Sequence, residues 1–197
     1  MKKIVVIICM CFILIQNISA NEQIELKSHF LNKIDEVISI VEDKKLNKLQ
    51  RNSKIIESLT PMMDFELMAK LSLGSRWKEL SNEEQQKFVS LYVERMKQSY
   101  SSKIDAYKDE KVEVKKVEQP QEGRIAFVTD LVSKDQKLEI VYKFHKPKEK
   151  IKSKDSWLIY DVEILGVSIL KTDIAQFKEF LQTKSIKELI DTLAKQS

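Results

Sequence analysis

The spacing of apolar residues changes twice along this chain, and this change limits the fold more than any other feature of the sequence. Up to about residue 110 the apolar residues recur at helical spacing, as they do at Phe30, Ile34, Val37 or Ile38, and Val41. Between residues 112 and 164 they recur every second residue, and beyond residue 170 the helical spacing returns. Because a helix turns every third or fourth side chain to one face and a strand every second, the sequence predicts helices, then strands, then helices.

The middle segment contains four predicted strands. The clearest of them has an apolar side, formed by Leu138, Ile140, Tyr142 and Phe144, and a mostly charged side. In the last strand the same alternation puts Tyr160 on the face of Ile164 and Asp161 on the other face. Consecutive half-buried strands form an antiparallel meander. The sequence therefore predicts an α+β fold with helices packed on one face of a roughly four-stranded antiparallel sheet.

The N-terminus has the order of segments that is typical of a secretory signal peptide. Lys2 and Lys3 precede an uncharged apolar run, residues 4–15, which is short of the ~20 residues that a helix needs to span a bilayer core. Polar and small residues follow up to Ala20, a residue suited to the position before a cleavage point. The sequence thus predicts a signal peptide over residues 1–20 and one domain over residues 21–197, soluble once the peptide is removed.

Export of this kind also removes both cysteines, because Cys9 and Cys11 lie within the apolar run. The mature domain then depends on its apolar core and has no disulfides. It also loses two of the 34 basic residues, Lys2 and Lys3, while all 30 acidic residues remain, so its formal charge falls from +4 to +2. This near balance, together with export, excludes nucleic acid as a partner.

Residues that carry catalysis or bind metals are sparse. The two histidines, His29 and His145, have no cysteine or second histidine at ligand spacing, so neither a metal nor another cofactor is expected. One catalytic hypothesis remains, in which Asp161 is a buried general base and Tyr142 an oxyanion donor, as in an enzyme of the ketosteroid-isomerase kind. In the alternative, Asp161 faces away from the core and hydrogen-bonds a neighbouring loop or turn. The predicted alternation puts Tyr142 and Asp161 on opposite faces, which favours the alternative.

Two stretches of the sequence resemble a known family. The first is residues 64–78, DFELMAKLSLGSRWK, followed by EQQKF at 84–88 and by Ser99 and Tyr100. The second is residues 157–168, WLIYDVEILGVS, followed by Gln176, Phe177 and the terminal residues 189–193. In order and spacing they resemble the N-terminal and C-terminal signatures of the MlaC family, also called the toluene-tolerance family. Leu165 departs from the pattern, because a short or acidic residue often precedes this glycine.

The resemblance implies a periplasmic phospholipid-binding protein of a Gram-negative bacterium. Such proteins carry lipid between an outer-membrane lipoprotein complex and an inner-membrane ABC transporter with its MCE subunit, in a pathway that maintains lipid asymmetry of the outer membrane. A carrier of this kind is not an enzyme and is expected to be a monomer. It needs an apolar cavity between helices and sheet that competes with a bilayer for the acyl chains.

The apolar residues expected to contact the acyl chains lie on the predicted helices and strands, and each is equally consistent with ordinary core. They are Met68, Leu71, Phe88, Tyr92, Tyr100, Phe127, Ile140, Tyr142, Tyr160 and Ile164. Because cavity and core use the same residue types, a ligand-free adaptor protein with a packed core is the second alternative. The lysine-rich segment from Lys146 to Lys154 is interpreted either as a solvated hairpin tip or as a region attracted to anionic lipid or to an acidic docking face.

Overall fold

The computed structural model describes residues 20–104, 111–133 and 137–196, apart from the side chains of residues 99–104. The predicted signal peptide lies outside these ranges except for Ala20, the first residue of the first helix. Within the described ranges no helix combines the length and the hydropathy that a membrane crossing requires.

Six α-helices and five strands make up the described structure. The helices are α1 (Ala20–Glu42), α2 (Lys48–Leu59), α3 (Phe65–Leu73), α4 (Asn82–Ile104), α5 (Ile169–Thr183) and α6 (Ile186–Gln196), with short 3₁₀ helices at Thr60–Met62 and Gly74–Glu79. The strands are β1 (Lys111–Gln121), β2 (Arg124–Val132), β3 (Lys137–His145), β4 (Leu158–Ile164) and β5 (Val167–Ser168). All neighbours are antiparallel, in the order β1-β2-β3-β4-β5. The predicted α+β class and the meander are confirmed, with one additional two-residue strand.

Capping residues set the ends of several helices. The sequence places a glutamate three residues after Ser81 and after Ser185, a spacing that predicts a capping box at each serine. Both boxes are present: the Glu84 carboxylate accepts from the Ser81 amide at 2.9 Å, and the Glu188 carboxylate accepts from the Ser185 amide at 2.8 Å. Helix α3 begins after Asp64, whose carboxylate accepts from the Leu67 amide, and it ends at Gly74, the residue type that predicts a helix end here. These interactions satisfy backbone groups that have no partner inside a helix.

A bulge in β4 changes the predicted alternation of that strand. Lys143 of β3 pairs with Asp161, but the next residue, Phe144, pairs with Ile159, so Tyr160 is an extra residue. A bulge shifts the period by one, and Ile159 therefore shares a face with Val162, not with Asp161. The sequence did not reveal this shift because Leu158 and Ile159 are consecutive apolar residues and both are buried. Their order does not indicate which of them belongs to the apolar face.

The core consists of two clusters. A helical cluster is formed by α3, α4, α5, α6 and the 3₁₀ helix Gly74–Glu79, and its largest members are Trp77, Phe88, Tyr92 and Phe177. A sheet cluster packs Leu26 and Phe30 of α1 on one face of the sheet, against Phe127, Phe144 and Ile159. The other face meets α5 at β4, where the Leu170 amide donates to the Asp161 carboxylate. Helices thus contact both faces near β4.

The turn between β4 and β5 holds Leu165 in an unfavourable backbone conformation. Its φ is 50° and that of Gly166 is 77°, the geometry of a two-residue hairpin turn that favours Asn-Gly. We expect Leu165→Asn to raise the free energy of unfolding by about 1 kcal/mol, because a left-handed conformation costs leucine roughly that much. Urea denaturation measures the gain. The control is Leu165→Ala, which removes the exposed side chain but keeps the backbone penalty; an equal gain for both variants would contradict the explanation.

Candidate functional site

The apolar face of the sheet is continuous across three strands. Strand register places Ile125, Phe144 and Ile159 in one row, Phe127, Tyr142 and Val162 in the next, and Ile140 with Ile164 in a third. Each row runs across the strands, so the face is a band of apolar side chains along the middle of the sheet.

One end of this band is closed by aromatic rings. The Phe30 ring of α1 lies 5.3 Å from Phe127, 4.8 Å from Tyr142 and 5.8 Å from Phe144, measured between centroids. Phe127 and Phe144 contact each other at 5.0 Å, and both are fully buried. We call Phe30, Phe127 and Phe144 the aromatic end. Its close packing leaves these rings no room for a ligand.

Helix α1 runs antiparallel to β3. At its N-terminus the Glu22 carboxylate accepts from Lys146, just beyond β3, at 2.6 Å and from the Trp157 indole at 3.0 Å. Eight residues later, Phe30 lies on Tyr142 and Phe144. This direction points the second half of α1 toward the first half of β3. Ile34 packs on the sheet cluster, and Val37 and Val41 continue the same helix face.

Away from the aromatic end, the apolar side chains of α1 and of the sheet are only partly covered. One face of α1 has Ile34, Val37 and Val41, and the sheet has Tyr142, Val162 and Ile164; all six are half-buried, and Ile140, beside Ile164, is 9% exposed. We call these seven residues the apolar groove. Burial raises the pKa of Tyr142, at the border with the aromatic end, to about 12, so its phenol stays neutral. Additional burial of such surfaces is favourable by roughly 25 cal/mol per Å², which an apolar ligand would supply.

The groove brings together three of the predicted contact residues. Ile140, Tyr142 and Ile164 line it, and Phe127 lies at its aromatic end. Tyr160 faces away, because the bulge places it on the other side of the sheet, where the Arg124 guanidinium lies 4.3 Å from its ring.

The predicted helical residues lie elsewhere. Met68, Phe88 and Tyr92 are fully buried in the helical cluster, where Phe88 contacts Phe177 at 5.8 Å and the Tyr92 hydroxyl donates to Asp173 at 2.7 Å. Leu71 is partly exposed on α3. The side chain of Tyr100 lies outside the described residues.

Four groove residues were not among the predicted contacts: Ile34, Val37, Val41 and Val162. The helical spacing from Phe30 to Val41 placed the first three on one buried face, but it did not indicate which surface that face meets. The sequence therefore showed that this helix face is buried, but not which part of the fold it packs against.

The hydrogen-bonding interpretation of Asp161 is confirmed. Its carboxylate is 3% exposed and accepts from the Ser168 hydroxyl at 2.8 Å, the Leu170 amide at 3.1 Å and the Lys143 ammonium at 3.0 Å. Burial alone would lower the pKa of Lys143, but its hydrogen bonds to Glu163 and Asp161 raise it. Asp161 and Tyr142 lie on opposite faces, as predicted, and do not converge on one pocket.

Each histidine is within hydrogen-bonding distance of an aspartate carboxylate. His29 lies 2.8 Å from Asp155, and His145 lies 2.7 Å from Asp64. Across the described ranges no three His, Cys, Asp or Glu side chains are grouped so that they could hold a metal ion.

A separate cleft of about 590 Å³ lies between α1 and α2. Its walls include the charged residues Lys33, Glu36, Lys54 and Glu57, and Lys33 pairs with Glu36 at 2.6 Å. A charged and open cleft of this kind does not suit an apolar ligand.

Comparison with known proteins gives a family match and a structural match. The family described as MlaC protein matches residues 32–195. Among solved structures, a phospholipid-binding protein from Ralstonia solanacearum, determined in complex with a phospholipid, has a TM-score of 0.73 and 18% identity, with 88% of this chain and 94% of that chain covered. No curated protein sequence matches the chain.

Proposed function

The chain belongs to the MlaC family, and on this premise we propose that it is a periplasmic phospholipid carrier. In this proposal it moves lipid between an outer-membrane lipoprotein complex and an inner-membrane ABC transporter with its MCE subunit, and so maintains the lipid asymmetry of the outer membrane. Its predicted signal peptide provides the route to the periplasm.

The observation that carries the proposal is the apolar groove. Its apolar residues on α1 and on the sheet include no charged side chain and are half-buried beside a fully packed aromatic end, which suits acyl chains and not a polar ligand. The similarly folded Ralstonia protein holds a phospholipid, which supports the same ligand class here.

The energetics explain why a carrier is needed. Two acyl chains contain roughly 30 methylenes, and at ~0.8 kcal/mol each their exposure to water costs on the order of 20 kcal/mol. Free escape of the lipid is therefore negligible. A groove that replaces the bilayer with a similar apolar surface keeps transfer nearly balanced in free energy, so lipid can enter and leave at membrane complexes.

The groove binds and releases lipid only through apolar contacts with the acyl chains. Because the aromatic end is closed, acyl chains enter from the opposite end of the groove, and the head group stays near solvent. No bond is made or broken, so no general acid, base or nucleophile takes part.

We expect phospholipid to co-purify with the protein at about one molecule per chain, because spontaneous loss from the groove is slow on the scale of purification. Organic extraction followed by mass spectrometry measures the ratio. The intact mass of the same sample tests export, since cleavage before Asn21 gives a chain of residues 21–197. Lipid-free protein that takes up no labelled phospholipid from vesicles would refute the carrier function.

A further inference from the structure

The connection between β3 and β4 concentrates positive charge. Five of the 34 basic residues of the chain lie within the nine positions from Lys146 to Lys154, accompanied by one acidic residue, Glu149. The charge of the remaining chain is nearly balanced. The segment is therefore a local positive region at the end of the sheet that the aromatic rings close.

The two outermost lysines hold the base of this segment in place. Lys146 donates to Glu22 at 2.6 Å, and its amide donates to the Gly123 carbonyl at 3.0 Å. Lys154 donates to the backbone carbonyls of Thr60 and Met63 at 2.5 and 2.9 Å. Burial lowers the pKa of Lys154, and Asp64 and Asp155 partly offset this effect. These two lysines therefore serve the fold.

The three middle lysines have a different environment. Lys148, Lys150 and Lys152 are exposed, and within the described ranges none of them forms an ion pair. Ile151, between the last two, is 40% exposed. We call residues 148–152 the lysine tip. It places ammonium groups and one partly exposed apolar side chain on a loop whose base is held by Lys146 and Lys154.

We propose that the lysine tip docks the protein on the surface of a bilayer that contains anionic lipids. Ammonium groups on long stems are attracted by a layer of lipid phosphates, and an apolar side chain among them can enter the interface. The tip contains lysine and no arginine. Lysine acts as a point charge, which suits a diffuse layer of phosphates, and the exposed Ile151 between two of the lysines suits the apolar part of a bilayer interface. This combination favours a lipid surface over an acidic protein face.

The position of the tip determines the orientation of the docked protein. The lysine tip and the aromatic end lie at the same end of β3. The groove extends toward the other end of this nine-residue strand, which is roughly 30 Å long. A protein held by its tip therefore points the entrance of the groove away from the bilayer. Docking concentrates the carrier at a membrane without inserting the groove, and it is independent of acyl-chain binding.

The test compares vesicle binding of three proteins at low salt. The wild type, the triple variant Lys148→Gln/Lys150→Gln/Lys152→Gln and a control with the same charge change at dispersed exposed lysines, Lys44→Gln/Lys87→Gln/Lys195→Gln, are sedimented with phosphatidylcholine vesicles with and without 30% phosphatidylglycerol. We expect the wild type to bind only the anionic vesicles and to lose binding as salt rises. The tip variant should bind roughly 100-fold more weakly, at about fivefold for each lysine. The control should bind within about twofold of the wild type.

Several outcomes would overturn the proposal. They are equal losses in the two triple variants, no binding of the wild type to anionic vesicles, and capture of an acidic protein through the tip without vesicle binding. Bound phospholipid, measured on the same samples, should be unchanged in the tip variant. A protein that binds vesicles but never carries lipid would refute the carrier function and leave the docking surface standing.

Discussion

Ile140→Glu is expected to give a folded protein that has lost its phospholipid. Ile140 lies among the partly covered residues of the groove, so a glutamate there can turn its carboxylate toward water at a cost of about 1–3 kcal/mol in stability. The same carboxylate would be desolvated by acyl chains, which costs several kcal/mol. Bound phospholipid should therefore fall roughly tenfold or more, while circular dichroism stays near that of the wild type.

The matched control is Phe144→Glu, on the same strand and the same face. Phe144 is fully buried among Phe30 and Phe127, and an unpaired carboxylate there removes several kcal/mol from a domain stabilised by roughly 5–15 kcal/mol. This variant should not fold. Thermal melting and lipid quantification of both variants decide the matter: if Ile140→Glu also unfolds, Ile140 is core, and if it folds and keeps its lipid, the groove is not the binding site.

Asp161→Ala is expected to reduce stability by about 3–5 kcal/mol, because it leaves the buried Leu170 amide and Ser168 hydroxyl without their acceptor and removes one of the two carboxylates that pair with Lys143. For a domain of this size the melting temperature should fall on the order of 10 °C. Differential scanning calorimetry measures the change.

The control for this prediction is Glu163→Ala. Glu163 pairs only with Lys143 among the contacts of the described chain, at 2.6 Å, and its side chain is partly exposed, so its loss should cost about 1 kcal/mol or less. Lipid binding by the folded fraction should be unchanged in Asp161→Ala and in Asp161→Asn, because Asp161 lies on the face opposite the groove. A folded Asp161→Asn protein that holds lipid but has lost a catalytic turnover would instead support the enzyme hypothesis.

Much of the fold followed from the sequence because its local signals agree with the tertiary structure. The strand meander, the end of α3 at Gly74 and the two serine–glutamate capping boxes each depend on a few neighbouring residues. The β4 bulge and strand β5 were not predicted. The bulge is set by pairing with β3, and β5 consists of two residues beyond a turn occupied by leucine in place of a favoured asparagine or aspartate.

The candidate site was less predictable, for a physical reason. A buried apolar stripe on a helix shows that the helix packs, but it does not identify the surface on the other side. Phe88 and Tyr92 therefore looked as suitable for acyl chains as Ile140, although they meet other helices. Val37 and Val41 carried the same kind of signal and continue the helix face on which Phe30 and Ile34 meet the sheet cluster. Only the direction of α1, fixed by Glu22 and Phe30, separates the two cases.

The aromatic end gives the proposed carrier a preference for acyl chains up to a certain length. If acyl chains fill the groove, their terminal methyls stop at Phe30, Phe127 and Phe144, whose close contacts form a fixed floor. A chain longer than the groove must leave its surplus methylenes in water, and each of these weakens binding roughly fourfold at ~0.8 kcal/mol. The three phenylalanines would thus limit the length of acyl chain that the groove can cover. The co-purified lipid would then show an upper limit of acyl-chain length that is set by apolar contacts alone.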